Sequence, residues 1–189
     1  ISEVILNGQE TLPCEVVVLA IGHSARDTYE MLYQRNVELE AKPFAIGVRI
    51  EHPQELIDKA QYGEYAGAAN LAAADYSLVY NDIETKRSAY SFCMCPGGMV
   101  VGATSEENQV VTNGMSNYQR NSGIANSAII VTVNTDDFGG NVLDGISFQR
   151  KYEKLAFEVG GENYNAPMQT VGDFLNNNVG STDFLVKPT

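Results

Sequence analysis

The six residues from Val16 to Ile21 set the tightest limit on what this chain can fold into. They form an apolar run with no polar interruption, the pattern of a strand covered on both faces, as in a parallel sheet. Gly22 ends the run, and Ser24 lies three residues before Asp27, the spacing of a capping box that opens a helix. A strand, a glycine turn and a capped helix bring backbone N–H groups to the carboxyl end of a sheet. Open α/β sheets bind ligands there, and a helix N-terminus favours an anionic group such as a phosphate.

A rival reading of the same turn is a hydrolase elbow with Ser24 as nucleophile. Gly22-His23-Ser24-Ala25-Arg26 is one residue short of G-x-S-x-G. Against it, Arg26 stands where the sharp elbow needs a glycine. The only later histidine, His52, also comes too soon for the usual order of serine, acid and histidine.

The rest of the chain reads as α+β, mainly antiparallel sheet or a small barrel, with helices. Ile1–Leu6 and Gln9–Leu12 flank Asn7-Gly8, a strong hairpin signal because both turn residues tolerate positive φ. The first helix is expected to reach Gln34, with Asn36 ending it. A strand is predicted over Phe44–Ile50. A short helix follows Pro53, with Leu56, Ile57 and Ala60 inward and Gly63 as its stop. Ser77–Asn81, Arg87–Met94, Met99–Ala103, Val110–Thr112 and Ser127–Val133 read as further strands. Pro96-Gly97 suits a type II turn, from which Met99–Ala103 returns antiparallel. The segments 105–108 and 113–126 read as connecting loops. Asp144 and Gly160 bracket a helix with Phe148, Tyr152, Leu155, Ala156 and Val159 on one face. Pro167 opens a last helix with Met168, Val171, Phe174 and Leu175 inward, ended by Asn176–Asn178 and Gly180.

Charge and cysteine usage exclude several classes. A net charge of −12 and a largest basic cluster of only Arg150, Lys151 and Lys154 do not make a nucleic-acid footprint. Cys14, Cys93 and Cys95 do not form a secreted disulfide framework. No apolar run reaches membrane-spanning length, and no signal-peptide pattern opens the chain. The expected setting is cytoplasmic, with no membrane partner. Ile1 begins inside a predicted strand, as an excised piece of a longer protein would.

Residues that could carry chemistry are few. In a regular strand Cys93 and Cys95 share a face, with Cα atoms about 6.5–7 Å apart, the outer limit for a disulfide unless the turn distorts the strand. No metal site is expected, since four ligands are needed and Cys14, His23 and His52 are the only further soft donors. Inert strand cysteines and a redox or flavin-facing Cys95 both remain open. Arg49 and His52 flank Glu51. They form a strand-end ion pair, or one of them reaches a substrate, where a neutral histidine could relay a proton.

The segment Leu19–Thr28 resembles a flavin-contacting segment of an uncharacterised family of FAD-dependent dehydrogenases, NAD(P)/FAD-dependent oxidoreductases whose dinucleotide domain is interrupted by an inserted domain. Lys42–Gln54, Ser91–Glu107, Val110–Ser116 and Asn163–Leu175 resemble further segments of that family, in its order. The resemblance implies a remnant of an FAD-binding α/β domain over residues 1–41 and an inserted α+β substrate or cap domain over residues 42–189. It implies that Gly22, His23, Ser24 and Ala25 contact FAD in the full-length protein, with flavin contacts by Asn113 or Ser116 also suggested. The fingerprint G-x-G-x-x-G is absent, so this chain alone is expected to hold no FAD and to be inactive. Its implied partners are the missing remainder of its FAD domain, an unknown small-molecule substrate and, through exposed apolar surface, a second copy. A non-catalytic binding module is the alternative from another class.

Overall fold

The computed structural model describes residues 1–179, so the expected stop at Gly180 lies outside the described residues. The chain divides into two compact units, Ile1–Glu38 and Leu39–Thr189.

The first unit opens with the expected hairpin. Strands β1 (Glu3–Leu6) and β2 (Glu10–Pro13) pair antiparallel, from Glu3 opposite Pro13 to Leu6 opposite Glu10. Asn7 and Gly8 both take positive φ, 51° and 68°, and the Gln9 N–H donates to the Leu6 carbonyl at 3.0 Å. The run Val16–Ile21 is not a strand. A doubly covered strand must exchange hydrogen bonds with neighbours. No described strand pairs with this one, and Val16 and Val18 are about four-fifths exposed, at 78% and 83%. Helix α1 (Arg26–Gln34) follows, with Ala25 at its N-cap and no side chain capping it. The capping box expected from Ser24 does not form, because the Asp27 carboxylate instead accepts from the adjacent Thr28 N–H at 2.8 Å. Asn36, at φ 58°, ends the helix as its residue type suggests.

The second unit is built on an open four-stranded antiparallel sheet. Its strands are β3 (Phe44–Pro53), β4 (Val79–Asp82), β5 (Arg87–Cys95) and β8 (Ile124–Val133), in the order β3-β8-β5-β4. A separate antiparallel ribbon joins β6 (Gly98–Gly102) to β7 (Thr112–Ser116). The fold is therefore α+β with antiparallel sheet, and the sheet does not close into a barrel. Its central strand β8 carries the most deeply buried side chains, Asn126 and Ser127, beside Ala125, Ala128 and Val133.

The chain turns at Pro96-Gly97 as expected, with Gly97 at φ 55°. However, β6 does not return along β5. The pairing of β5 with β8 slips between Phe92 opposite Ala128 and Cys95 opposite Asn126, so β5 holds one extra residue there. This is a β-bulge with Cys93 at φ 48°. The bulge turns the end of β5, and β6 pairs with β7 instead, where Gly98 allows close approach: a Cβ there would meet the Met115 carbonyl oxygen at 2.6 Å. Most of β7 and the start of β8 lie in the stretch 113–126 expected to be loop.

The expected helices form, the last of them opening at Val171 rather than at Pro167, but they bury other residues. In α2 (Gln54–Tyr62), bounded by Pro53 and Gly63, the buried side chain is Gln54; Ile57 is half-buried, while Leu56 and Ala60 are exposed. The amide is held by hydrogen bonds that an apolar side chain could not make. A four-residue turn, α3 (Thr135–Phe138), carries a capping box from Asn134 to Asp137. Helix α4 (Asp144–Val159) stops as expected, with Gly160 as its C-cap, but Leu143 is its N-cap and Asp144, the expected cap, is its first residue. Its buried residue is Phe157, with Phe148 and Ala156 half-buried; Tyr152, Leu155 and Val159 are exposed. Two anchors set this rotation: the Glu153 carbonyl accepts from the Val110 N–H at 2.9 Å, and Phe157 packs on Tyr164. Helix α5 (Val171–Leu175) is a single turn capped by Thr170, and Met168, Val171, Phe174 and Leu175 are exposed rather than inward. One turn is too short to present an amphipathic stripe.

Candidate functional site

The bulge in β5 gathers polar groups from four strands around Arg49. Because Cys93 takes positive φ, the two-residue alternation of the strand breaks: Cys93 is exposed and Cys95 is buried, yet the two side chains still interact with each other. The Arg49 guanidinium reaches across from β3. Nη2 donates to the Cys93 carbonyl at 3.2 Å and to Asn113 Oδ1 at 3.3 Å. Nη1 donates to Asn126 Oδ1 and lies 3.9 Å from Cys95 Sγ. Gly114 packs against the guanidinium, and a Cβ there would stand 2.0 Å from Nη1 and force the Arg49 side chain to shift.

These hydrogen-bond acceptors of Arg49 are all neutral. The ion pair with Glu51 expected as one alternative does not form, because Glu51 Oε1 accepts from the Val100 N–H of the ribbon at 2.8 Å. A half-buried positive charge among neutral dipoles favours a negative charge beside it. The Cys95 thiol donates to the Cys93 carbonyl at 3.3 Å. Burial first, and then the neighbouring Cys93, push the Cys95 thiol above its usual range, while the Arg49 guanidinium works against both.

His52 belongs to a different group. It lies three residues beyond Arg49 on β3, so strand alternation sends it to the opposite face. Its Nε2 is 2.9 Å from the Tyr76 hydroxyl and its Nδ1 is 3.4 Å from the Pro53 carbonyl. If Nδ1 carries the proton toward Pro53, Nε2 is free to accept from Tyr76. Burial pushes the Tyr76 hydroxyl above its usual range, and a hydrogen bond with Ser127 pulls it back. Ser127, Tyr76 and His52 thus form a short polar chain from the buried centre of β8 outward.

Gln54 closes the far end of this region. Its Nε2 donates to Asp58 Oδ1 at 2.8 Å and to the Ala74 carbonyl at 2.9 Å, and its Oε1 accepts from the Gly97 N–H at 2.8 Å. Beside it lies a cleft of about 580 Å³ bordered by Asp58, Tyr62, Leu71 and Arg120.

The structure therefore brings Arg49 and Cys95 together and separates His52 from both. Gly22, His23, Ser24 and Ala25 form an exposed to half-buried turn in the first unit, with Gly22 at φ 74° and its carbonyl accepting from the Tyr29 hydroxyl at 3.1 Å. Sequence reasoning missed Tyr76, Gln54, Asn126 and Ser127. The Asn-Ser pair inside the apolar run Ile124–Val133 was the one available signal, because polar residues interrupt a buried strand only when something binds them. Among the described residues no group of three or more His, Cys, Asp or Glu side chains could hold a metal, and no helix is long and apolar enough to cross a membrane.

Residues 43–189, which include the Arg49 cluster and the His52 chain, match the family described as "FAD-dependent protein, C-terminal domain-like". The chain belongs to this family. It is also similar to an uncharacterized protein of Clostridium beijerinckii, 57% identical over 180 residues, a match that covers 95% of this chain and 34% of the relative. The chain thus spans about a third of that relative's length. Membership in the FAD-dependent family supports a chain that is part of a flavoprotein.

Proposed function

We propose that the chain is part of an FAD-dependent oxidoreductase, a dehydrogenase, in which residues 42–189 are the inserted domain that covers the flavin and shapes the substrate side of its site. The match of residues 43–189 to an FAD-dependent family carries this reading. The turn Gly22–Ala25 supports it independently. Gly22 has positive φ and open space where a Cβ would project, and α1 begins without a side-chain cap. Such a turn lets a backbone approach a diphosphate and leaves helix N–H groups to receive it. Gly22, His23, Ser24 and Ala25 would hold FAD in the longer protein, together with residues of its remaining FAD domain. FAD supplies the electron chemistry when bound. The chain's own residues orient a small-molecule substrate and handle protons. His52 Nε2 and the Tyr76 hydroxyl share a hydrogen bond, and this pair can hold or pass a proton. Arg49 presents positive charge, and among the described residues its hydrogen-bond acceptors include no carboxylate. A second copy docking through the exposed Val16–Ile21 run is part of the same reading.

The visible spectrum of the longer protein tests it. Flavin bands that bleach on reduction, with the 189-residue chain alone colourless, are the expected result. A colourless longer protein that takes up no added FAD would refute the flavin assignment. A longer protein that binds FAD but is reduced by no substrate class would refute the oxidoreductase.

A further inference from the structure

We propose that Cys93 and Cys95 are a redox-active dithiol that closes to an intramolecular disulfide by exchange with small-molecule disulfides. A regular strand disfavours such a bridge, because residues i and i+2 hold their Cα atoms near the upper limit for one. Here the strand is not regular. The bulge at Cys93 puts that residue at φ 48° and lets the Cys95 thiol fold back onto the Cys93 carbonyl at 3.3 Å. Positive φ at a non-glycine residue stores strain of the kind found at switch sites.

The two thiols have different surroundings, and these divide the work. Cys93 is exposed and can meet a disulfide from solvent, whereas Cys95 is buried with Arg49 Nη1 at 3.9 Å. In the first step the Cys93 thiolate attacks one sulfur of a disulfide RS–SR. The S–S bond breaks, RS⁻ leaves and takes a proton from water, and a mixed disulfide remains on Cys93. In the second step Cys95 gives its proton to solvent, and its thiolate, beside the guanidinium, attacks Cys93 Sγ. The mixed disulfide breaks, and the second RS⁻ leaves and is protonated. The dithiol is oxidised to a disulfide and RS–SR is reduced to two thiols, so the electrons balance. Arg49 favours the Cys95 thiolate that resolves the adduct. Bridge formation also removes the thiol that Arg49 faces, which couples the redox state to the packing of β3, β5 and β8.

No flavin is needed, so the inference stands apart from the oxidoreductase reading. The test equilibrates the 189-residue chain with reduced and oxidised glutathione, quenches with acid and maps the thiols by peptide mass spectrometry. The expected product is a Cys93–Cys95 bridge, lighter by two hydrogens and reopened by dithiothreitol, with Cys14 outside it. Cys95→Ser is expected to accumulate a glutathione adduct on Cys93, and Cys93→Ser to leave Cys95 unmodified. Circular dichroism of both variants checks that each is folded. A wild-type chain that carries a lasting Cys93 adduct and no bridge, or equal adduct on folded wild type and Cys95→Ser, would overturn the proposal.

Discussion

Gln54→Leu removes one buried amide and should reveal how much of the second unit depends on it. Gln54 is 5% exposed and makes three short hydrogen bonds, to Asp58, the Ala74 carbonyl and the Gly97 N–H. Leucine has similar volume, so no large cavity opens and the loss is one of hydrogen bonds. Asp58 Oδ1 keeps its bond from the Ala74 N–H at 2.8 Å and stays satisfied. The Gly97 N–H and the Ala74 carbonyl each lose the bond that Gln54 makes, and an unsatisfied buried group costs about 1–3 kcal/mol. Two such groups, less a small gain for burying apolar surface, give a loss of roughly 3 kcal/mol. That is a large share of the roughly 5–15 kcal/mol typical of a folded domain. Urea unfolding followed by far-ultraviolet circular dichroism measures it, and the chain's ten tyrosines, with no tryptophan, offer a second probe. Gln54→Glu serves as the companion. Its carboxylate still accepts from Gly97 but faces the Asp58 carboxylate and the Ala74 carbonyl, so its pKa is raised. Its destabilisation should be large at neutral pH and shrink as the pH falls and the introduced group regains a proton to donate. A loss below about 0.5 kcal/mol for Gln54→Leu, within the range of ordinary surface substitutions, would refute the reasoning.

Three further outcomes are expected. Arg87 holds the Asp137 carboxyl below the usual carboxylate range through its hydrogen bond first, helped by the Asn134 N–H. The folded pKa is depressed, so the stabilisation is present above the unfolded value and lost as pH falls through the folded one. Asp137→Asn should lower Tm at neutral pH by a small amount that disappears at strongly acidic pH; a constant difference would contradict the assignment. Gly97→Ala should cost about 1–3 kcal/mol in urea unfolding, because Gly97 sits at φ 55° and an added Cβ would meet the Arg120 carbonyl oxygen at 1.9 Å. In the longer protein, Gly22→Val should weaken FAD binding measured by fluorescence titration, since valine resists the φ of 74° that the turn uses. Unchanged affinity with an intact fold would remove this turn from the cofactor site.

The elements written in local chemistry were legible. Asn7-Gly8 names its turn, Gly63 and Gly160 stop their helices, and the apolar, β-prone stretches at Phe44–Ile50 and Ser127–Val133 lie within strands. The elements that depend on distant partners were not. Val16–Ile21 has the composition of a doubly covered strand, but a strand exists only where its N–H and C=O groups find neighbours, and composition does not supply them. Helix faces failed for a related reason. The apolar stripe of α4 predicts one rotation, and the bond from the Val110 N–H to the Glu153 carbonyl selects another.

The site was hidden by a single residue of register. Strand alternation gives Cys93 and Cys95 like surroundings only if nothing is inserted, and with a bulge of one residue the first is exposed and the second buried. Arg49 could be nominated from its position in a strand, but not its acceptors, because Asn113 and Asn126 lie 64 and 77 residues away. A sequence can still show where such a bulge is tolerated. Pro96 follows two residues after Met94, and a proline cannot donate to a ladder, so the strand must end or deform near it. Gly97, Gly98 and Gly114 then mark the places where backbone or guanidinium comes too close for a side chain. Glycines spaced through a β-rich region without a repeat are thus the best available sign of a junction between sheet and ribbon, and here that junction is where Arg49 meets the Cys95 thiol and the Cys93 carbonyl.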